Sequence, residues 1–277
     1  MMDVLFEPWQ HVFMQRALIV AVASAVLCGV VGTHVVLRGM AFIGDAVAHS
    51  VFPGVAIAFV LQLNLALGGA TAGIVTAVVI AVTSQNRRLK EDSVIGVFFA
   101  AAFALGIVVL SGAPGYGGSL ESFLFGQILG ISDADVRTVL TGGALVLSAA
   151  ALLHKRFVAV SLDRETARAS GLNVWAIDAS LYIMVTIVIV ISLQAVGNIL
   201  VLAMLVTPAA AARLLTDRLG VMMVLAPVIG AGSAVTGLYL SYSYNLAAGG
   251  LTVLVVTAVF LVCWLIAPKH GLLTRLV

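Results

Sequence analysis

The sequence predicts an all-α fold: a polytopic membrane bundle of about nine transmembrane helices, with the N-terminus outside and the C-terminus cytoplasmic. Composition is the first reason. Of 277 residues, 62% are hydrophobic and 9% charged, with mean hydropathy +1.19, whereas soluble domains carry roughly 25% charged residues. The second reason is run length. The apolar stretches reach the roughly 20 residues that a helix needs to span a bilayer. A closed barrel would instead show alternating segments of about 10 residues, and irregular backbone cannot face lipid. The third is the sorting of basic residues to one side, argued below.

Apolar runs bounded by charges or turn residues place the spans at roughly 17–37, 41–61, 65–83, 93–111, 134–153, 174–193, 197–215, 220–240 and 247–267. The first runs from Arg16 to Arg38, and the second follows LRGM. The third ends before SQNRRLK, and the fourth starts after KED. The fifth begins within SDADVR and stops at HKR, and the sixth follows SGLN. The seventh begins within VGN, the eighth after TDRL and the ninth within SYSYNLAAGG. With the N-terminus outside, Arg38, Arg87, Arg88, Lys90, Lys155, Arg156, Arg164, Arg168, Arg213, Arg218, Lys269 and Arg275 all become cytoplasmic, leaving Arg16 and Arg137 outside. Positive residues favour the cytoplasmic side, so this orientation is preferred.

SLESFLFGQILGISDAD, residues 119–135, is apolar but short, and reads as re-entrant or interfacial. Counting it as a crossing would put the basic loop after the fifth span outside. The preceding SGAPGYGGS is a glycine-rich connector without the lysine and Ser/Thr of a phosphate loop. No soluble domain or long repeat is evident, so 1–277 reads as one transmembrane domain. Nothing resembles a removable signal peptide, and the first helix is expected to direct insertion. Cys28 and Cys263 sit in apolar runs and read as packing residues. The net charge of +2 forms no basic stripe, so no nucleic-acid partner is expected.

GDAVAHSVFPG, residues 44–54, sets Asp45 and His49 four positions apart in an apolar helix, hence on one face. An ionised aspartate at the bilayer centre costs about 2.5 to 3.5 kcal/mol on insertion scales, which makes function the default hypothesis. Carboxylate and imidazole suit first-row divalent ions; the bland alternative is that the two hydrogen-bond each other or a neighbouring backbone and fix packing. Two ligands fall short of the roughly six donors manganese takes, so waters, backbone carbonyls or another chain must complete a site. Pro53 offers one carbonyl, because a proline inside a helix frees that of the residue four back, His49. A plain kink is the competing reading.

His34 reads as a hydrogen-bonded interface residue, and Asp178, at the start of the sixth span, as a charge that snorkels or meets water. His11, His154 and His270 are expected to face water. Residues 154–173 form the longest charged stretch, with DRETARASGL as a short helix closing on Gly171. It reads either as a docking element for a soluble partner or as a solvated loop. In the seventh span, Thr207-Pro208 precedes Ala209–Ala212, small residues that let helices approach closely. Gly230, Gly232, Gly237, Gly249 and Gly250 read as similar contacts or as part of the turn SYSYNLAAGG.

LRGMAFIGDAVAHSVFPGVA at 37–56, EDSVIGVFFAAAFALGIVVLS at 91–111, ESFLFGQIL at 121–129, SLDRETARASGL at 161–172, VGNILVLAMLVTPAAAARLL at 196–215 and SYSYNLAAGG at 241–250 occur in one order along the chain. So arranged, the sequence resembles the membrane permease subunit of ATP-binding-cassette importers for manganese, zinc and iron. The wording LRGM..IGDA..H is most similar to the manganese-type members. The resemblance implies a multi-pass protein of the cell membrane that pairs with a second permease subunit, a homodimer in the simplest case. It further implies two cytoplasmic ATPase subunits that bind ATP and an extracytoplasmic metal-binding protein. Asp45 and His49 map to the translocation path, with Pro53 and Pro208 as pathway or packing residues. Asp163, Arg164, Glu165, Arg168 and Gly171 map to the helix that seats in the ATPase. The divalent ion is cargo, and no intrinsic cofactor is expected. No GxxxxGK[ST] occurs, so the chain is expected to be a transport subunit rather than an enzyme.

Three other classes make different predictions. An intramembrane aspartyl protease needs a second carboxylate adjacent to Asp45, and Asp178 begins its span at the wrong depth. A proton-coupled secondary carrier would use Asp45 and His49 as a relay and move metal without an ATPase. A structural scaffold would tolerate loss of both residues.

Overall fold

The computed structural model describes residues 7–85, 91–111 and 130–267. A short 3-10 turn, Glu7–Gln10, precedes α1 (Val12–Leu37), α2 (Ile43–Val60), α3 (Leu65–Thr83) and α4 (Glu91–Ser111). After these come α5 (Asp133–Leu162), α6 (Arg164–Ala169), α7 (Val174–Val196), α8 (Asn198–Leu215), α9 (Leu219–Tyr244) and α10 (Ala248–Ile266). Among the described residues, nine long helices coincide with the nine expected spans. Eight are long and apolar enough to cross a membrane, and the ninth, α3, holds the shorter apolar stretch Leu67–Thr83. The glycine-rich stretch beyond Ser111, the part up to residue 129 of the segment expected to be re-entrant or interfacial, Arg87, Arg88, Lys90 and the residues after Ala267 lie outside the described residues.

Polar residues at the edges of the apolar runs start the helices by accepting orphan N–H bonds. Asn64 accepts from the Leu67 N–H at 3.1 Å, and Asn173 from that of Ala176 at 3.1 Å. Ser132 and Asp135 form a reciprocal box, Asp135 Oδ2 accepting the Ser132 N–H at 2.9 Å and Ser132 Oγ accepting the Asp135 N–H at 3.2 Å. Helix ends use a left-handed residue. At Gly39, φ +70°, the Gly39 N–H bonds to Val36 O and the Met40 N–H to Val35 O, both at 3.1 Å. This paired pattern stops α1 and turns the chain into α2.

Three boundaries differ by four residues or more from the sequence reading: α1 starts at Val12, five residues before 17, and the ends of α5 and α9 run on. The helix α5 continues nine residues past 153, to Leu162. Lys155 and Arg156 are exposed there while Phe157 and Val160 are buried, so the charged run is the wet face of an amphipathic helix. SYSY belongs to α9, leaving Asn245–Ala247 as the turn, with Asn245 left-handed at φ 52°.

The chain divides into two compact units, and the division falls within α1, α5 and α7. One comprises the described parts of 1–33, 119–147 and 191–277. It packs through small residues: a Cβ on Gly32 would lie 1.8 Å from the Leu205 carbonyl oxygen, and one on Gly29 2.6 Å from Pro227 N. Ala209, Ala211 and Ala212 are fully buried, as the small-residue run suggested. Gly237 meets Thr252 closely, but Gly232 and Gly250 face open space, so those two do not serve the close contacts expected of them. At its edge Arg16 pairs with Asp133 at 2.8 Å.

The second unit comprises 34–118 and 148–190, again in its described parts. In it α2 and α3 touch backbone to backbone: a Cβ on Gly54 would lie 2.2 Å from Gly68 O and 2.5 Å from the Ala72 methyl. On the α4 side, Phe52 and Pro53 fill the space over Gly106. α2 is therefore clamped on two sides, and it is the helix that carries the acid and the histidine.

Candidate functional site

Asp45 stands in the first turn of α2. Unsatisfied N–H groups and the helix dipole favour an anion there, which offsets part of the cost of holding a carboxylate in an apolar span. Gly44, Ala46, Val47 and Ala48 are buried, whereas Asp45 and His49 are both half-buried on one face. Among the described residues no side chain hydrogen-bonds to the Asp45 carboxylate, so the two side chains do not bond each other, and the packing alternative keeps only its backbone form, a bond from His49 to the Asp45 carbonyl.

His49 Nδ1 lies 2.9 Å from the Asp45 backbone carbonyl. A carbonyl oxygen only accepts, so Nδ1 carries the proton and, in the neutral ring, Nε2 keeps the lone pair that a metal would take. Phe99 and Phe103 of α4 stand edge-on to the imidazole, with ring centroids at 4.6 and 5.2 Å. The backbone bond sets the tautomer and the aromatic pair fixes the ring plane, the arrangement by which outer partners orient a ligand.

No third His, Cys, Asp or Glu joins these two in a metal-sized cluster among the described residues. Pro53 lies buried one turn on, without an N–H to offer the His49 carbonyl, which leaves that oxygen as a further donor. The arrangement can present one carboxylate and one imidazole to a hard or borderline cation, with water, backbone or a second copy of the chain left to supply the rest. Pro208 is buried in α8 in the other unit, beside Gly230.

The second group of expected residues forms α6. Asp163 caps it: Oδ1 accepts the Glu165 N–H at 2.9 Å and Oδ2 accepts the Thr166 hydroxyl. The Thr166 hydroxyl, then the N–H groups of Glu165 and Thr166, hold the Asp163 carboxyl below its ordinary value. A carboxyl lowered in the folded state stabilises the fold at pH above the ordinary value of about 4, and the contribution fades as pH falls through the lowered value. Asp163→Ala should therefore reduce hydrogen-exchange protection of the Glu165 and Thr166 amides severalfold at neutral pH, and acidification should do the same to the native chain. Unchanged protection in the variant would show that the cap does not hold the helix. Gly171, at φ +81°, ends the segment as the sequence suggested. Ala167 is buried, while Glu165, Thr166, Arg168, Ala169 and Ser170 are exposed. Arg168 bonds to Glu165 at 3.4 Å and to Gln85 Oε1 at 3.1 Å.

Sequence reasoning missed a cluster in the same unit. Asp178 neither snorkels nor meets water: it is 1% exposed and accepts from Arg38 Nη1 at 2.6 Å, from Arg164 and from Gln85 Nε2 at 3.4 Å. The reason is physical, since burying an anion here is tolerable only with cations brought by other segments. An acid five residues into an apolar run was the available signal. His34 is also corrected: its Nε2 has no hydrogen-bond partner among the described residues, and its ring packs on His154 at 5.6 Å and Phe157 at 5.2 Å. His154 thus faces another ring rather than only water. His11 is exposed and 3.1 Å from the Tyr242 hydroxyl.

Comparison with known proteins gives the family of the chain. Residues 10–267 match the model of the ABC 3 transport family. The chain is 45% identical over 264 residues to a manganese transport system membrane protein, MntC, of Listeria monocytogenes, covering 95% of this chain and 94% of that one. It is 39% identical over 277 residues to a probable iron transport system membrane protein of Haemophilus influenzae, covering 99% and 97%. A solved structure of PsaBC from Streptococcus pneumoniae in complex with Fab superposes with a TM-score of 0.85 at 36% identity, covering 99% of both chains. The chain is therefore a multi-pass membrane protein and a transport component, a member of the ABC 3 transport family.

Proposed function

We propose that the chain is the membrane-spanning permease subunit of an ATP-driven importer of divalent transition-metal ions, with manganese as its cargo. The observation that carries this reading is the Asp45–His49 pair: a half-buried carboxylate and an imidazole with its Nε2 lone pair available, on one face of a helix clamped by its neighbours. Likeness to proteins named for manganese transport supports the metal, while the relative named for iron favours iron as the second candidate. The whole chain acts as one permease domain, its N-terminus outside, paired with a second copy. Two cytoplasmic ATPase subunits bind and hydrolyse ATP, with the exposed face of α6 as their seat, since this sequence has no phosphate loop of its own. A binding protein delivers the ion from outside.

The test is uptake of manganese, iron and zinc by membranes holding the complete transporter, with active or hydrolysis-defective ATPase subunits. Manganese should enter only with active subunits and in preference to the other two ions. Uptake that persists without the ATPase would point to a proton-coupled carrier, and preference for iron would reassign the cargo.

A further inference from the structure

Helix α6 has six residues, too few to be stable alone. Its place depends on what it is tied to, and two of its side chains lead to the same carboxylate. Arg164 bonds directly to Asp178, and Arg168 reaches it through Gln85, which accepts from Arg168 and donates to Asp178. The opposite oxygen of Asp178 takes Arg38 Nη1 at 2.6 Å. Arg38, with a side chain 4% exposed, is further fixed by donating from Nε to Ser161 Oγ at 3.1 Å and by lying over the Phe157 ring at 5.8 Å. It is also the last residue before Gly39, the turn that aims α2, five residues ahead of its first helical residue and seven ahead of Asp45.

One acid is thus shared by two guanidiniums of unequal burial, 4% exposed for Arg38 and 33% for Arg164. Arg164 can swing towards water while Arg38 keeps Asp178 neutralised, so this arm can be broken without leaving a buried charge alone. Separating Asp178 from Arg38 would strand a buried cation, which is strongly unfavourable. Displacement of α6 is therefore resisted softly on one oxygen and transmitted firmly on the other.

We propose that Asp178 is a positioning residue of the transport cycle, the carboxylate through which movement of α6 reaches the Arg38–Gly39 turn and hence the start of the helix holding Asp45 and His49. The inference rests on the function proposed above. It names a role for three residues, Arg38, Gln85 and Asp178, that do not touch the ion.

The test is the number of manganese ions moved per ATP hydrolysed by the complete transporter in proteoliposomes, for wild type, Arg38→Gln, Arg38→Lys and Gln85→Ala. Arg38→Gln should lower that ratio by about fivefold or more, the lower end of typical coupling between sites. Arg38→Lys, which keeps a charge for Asp178 but not the Ser161 bond, should recover part of it. Gln85→Ala removes no charge and leaves the Arg38–Asp178 pair intact, so it should assemble even if Arg38→Gln does not, and it too should lower the ratio. An unchanged ratio in Gln85→Ala and Arg38→Gln, or uptake and hydrolysis falling in proportion, would overturn the proposal and leave the cluster as a packing element. Wild-type transporter that hydrolyses ATP but moves no manganese would instead remove the underlying functional reading.

Discussion

Asp45→Ala and His49→Ala should each abolish manganese uptake, while the variants should still reach the membrane and assemble with the ATPase. Each removes one of the two charged or imidazole donors that α2 presents, so the loss should exceed the roughly 10–100-fold typical of losing an outer-shell partner. Assembly should survive because both side chains are half-buried, and the hydrogen bond of His49 is to its own helix. Uptake is compared at equal membrane abundance, with the ATPase co-purified as the measure of assembly. Loss of assembly in both variants would make the pair structural, and full uptake would move the ion path elsewhere. Arg164 and Glu165 variants should show the opposite pattern, with metal binding retained and coupling weakened.

Gly54→Val is the second large effect, and its cause is steric. The new Cβ would start 2.2 Å from the Gly68 carbonyl oxygen and 2.5 Å from the Ala72 methyl. No rotamer relieves a clash that begins at Cβ against backbone, so α2 and α3 must separate. Overpacking a dense interior typically costs 1–3 kcal/mol, and this backbone collision should reach the upper end, about 3 kcal/mol or more. Because α2 also carries Asp45 and His49, uptake should fall together with thermal stability in detergent. A variant with the wild-type melting temperature would mean that the helix pair has slack the structure does not show. Gly96→Val is the control, since nothing lies within 4 Å of that position.

The bundle was legible because lipid leaves few choices: long apolar runs must be helices, and charges or caps must end them. Asn64, Ser132, Asp163 and Asn173 mark helix starts through their own side chains, so local chemistry was enough. The end of α5 was not legible from charge, because Lys155 and Arg156 look like loop residues until Phe157 and Val160 are seen to share a buried face. Asp45 and His49 could be paired from spacing alone, being on one helix. The partners of Asp178 could not, since Arg38 lies 140 positions away in sequence and Gln85 93. Only the packed structure selects between cations that composition treats as equal. The Phe99–Phe103 slot around His49 was hidden for the same reason.

The central claim is that Asp45 and His49 hold the ion, and it is tested most directly by pulsed electron paramagnetic resonance of manganese bound to the complex with the binding protein washed away. The account predicts nitrogen modulation from imidazole that disappears in His49→Gln and persists in the control His11→Gln. Nitrogen modulation unchanged in His49→Gln, or a manganese ion in the wild type coordinated by oxygen alone, would contradict it.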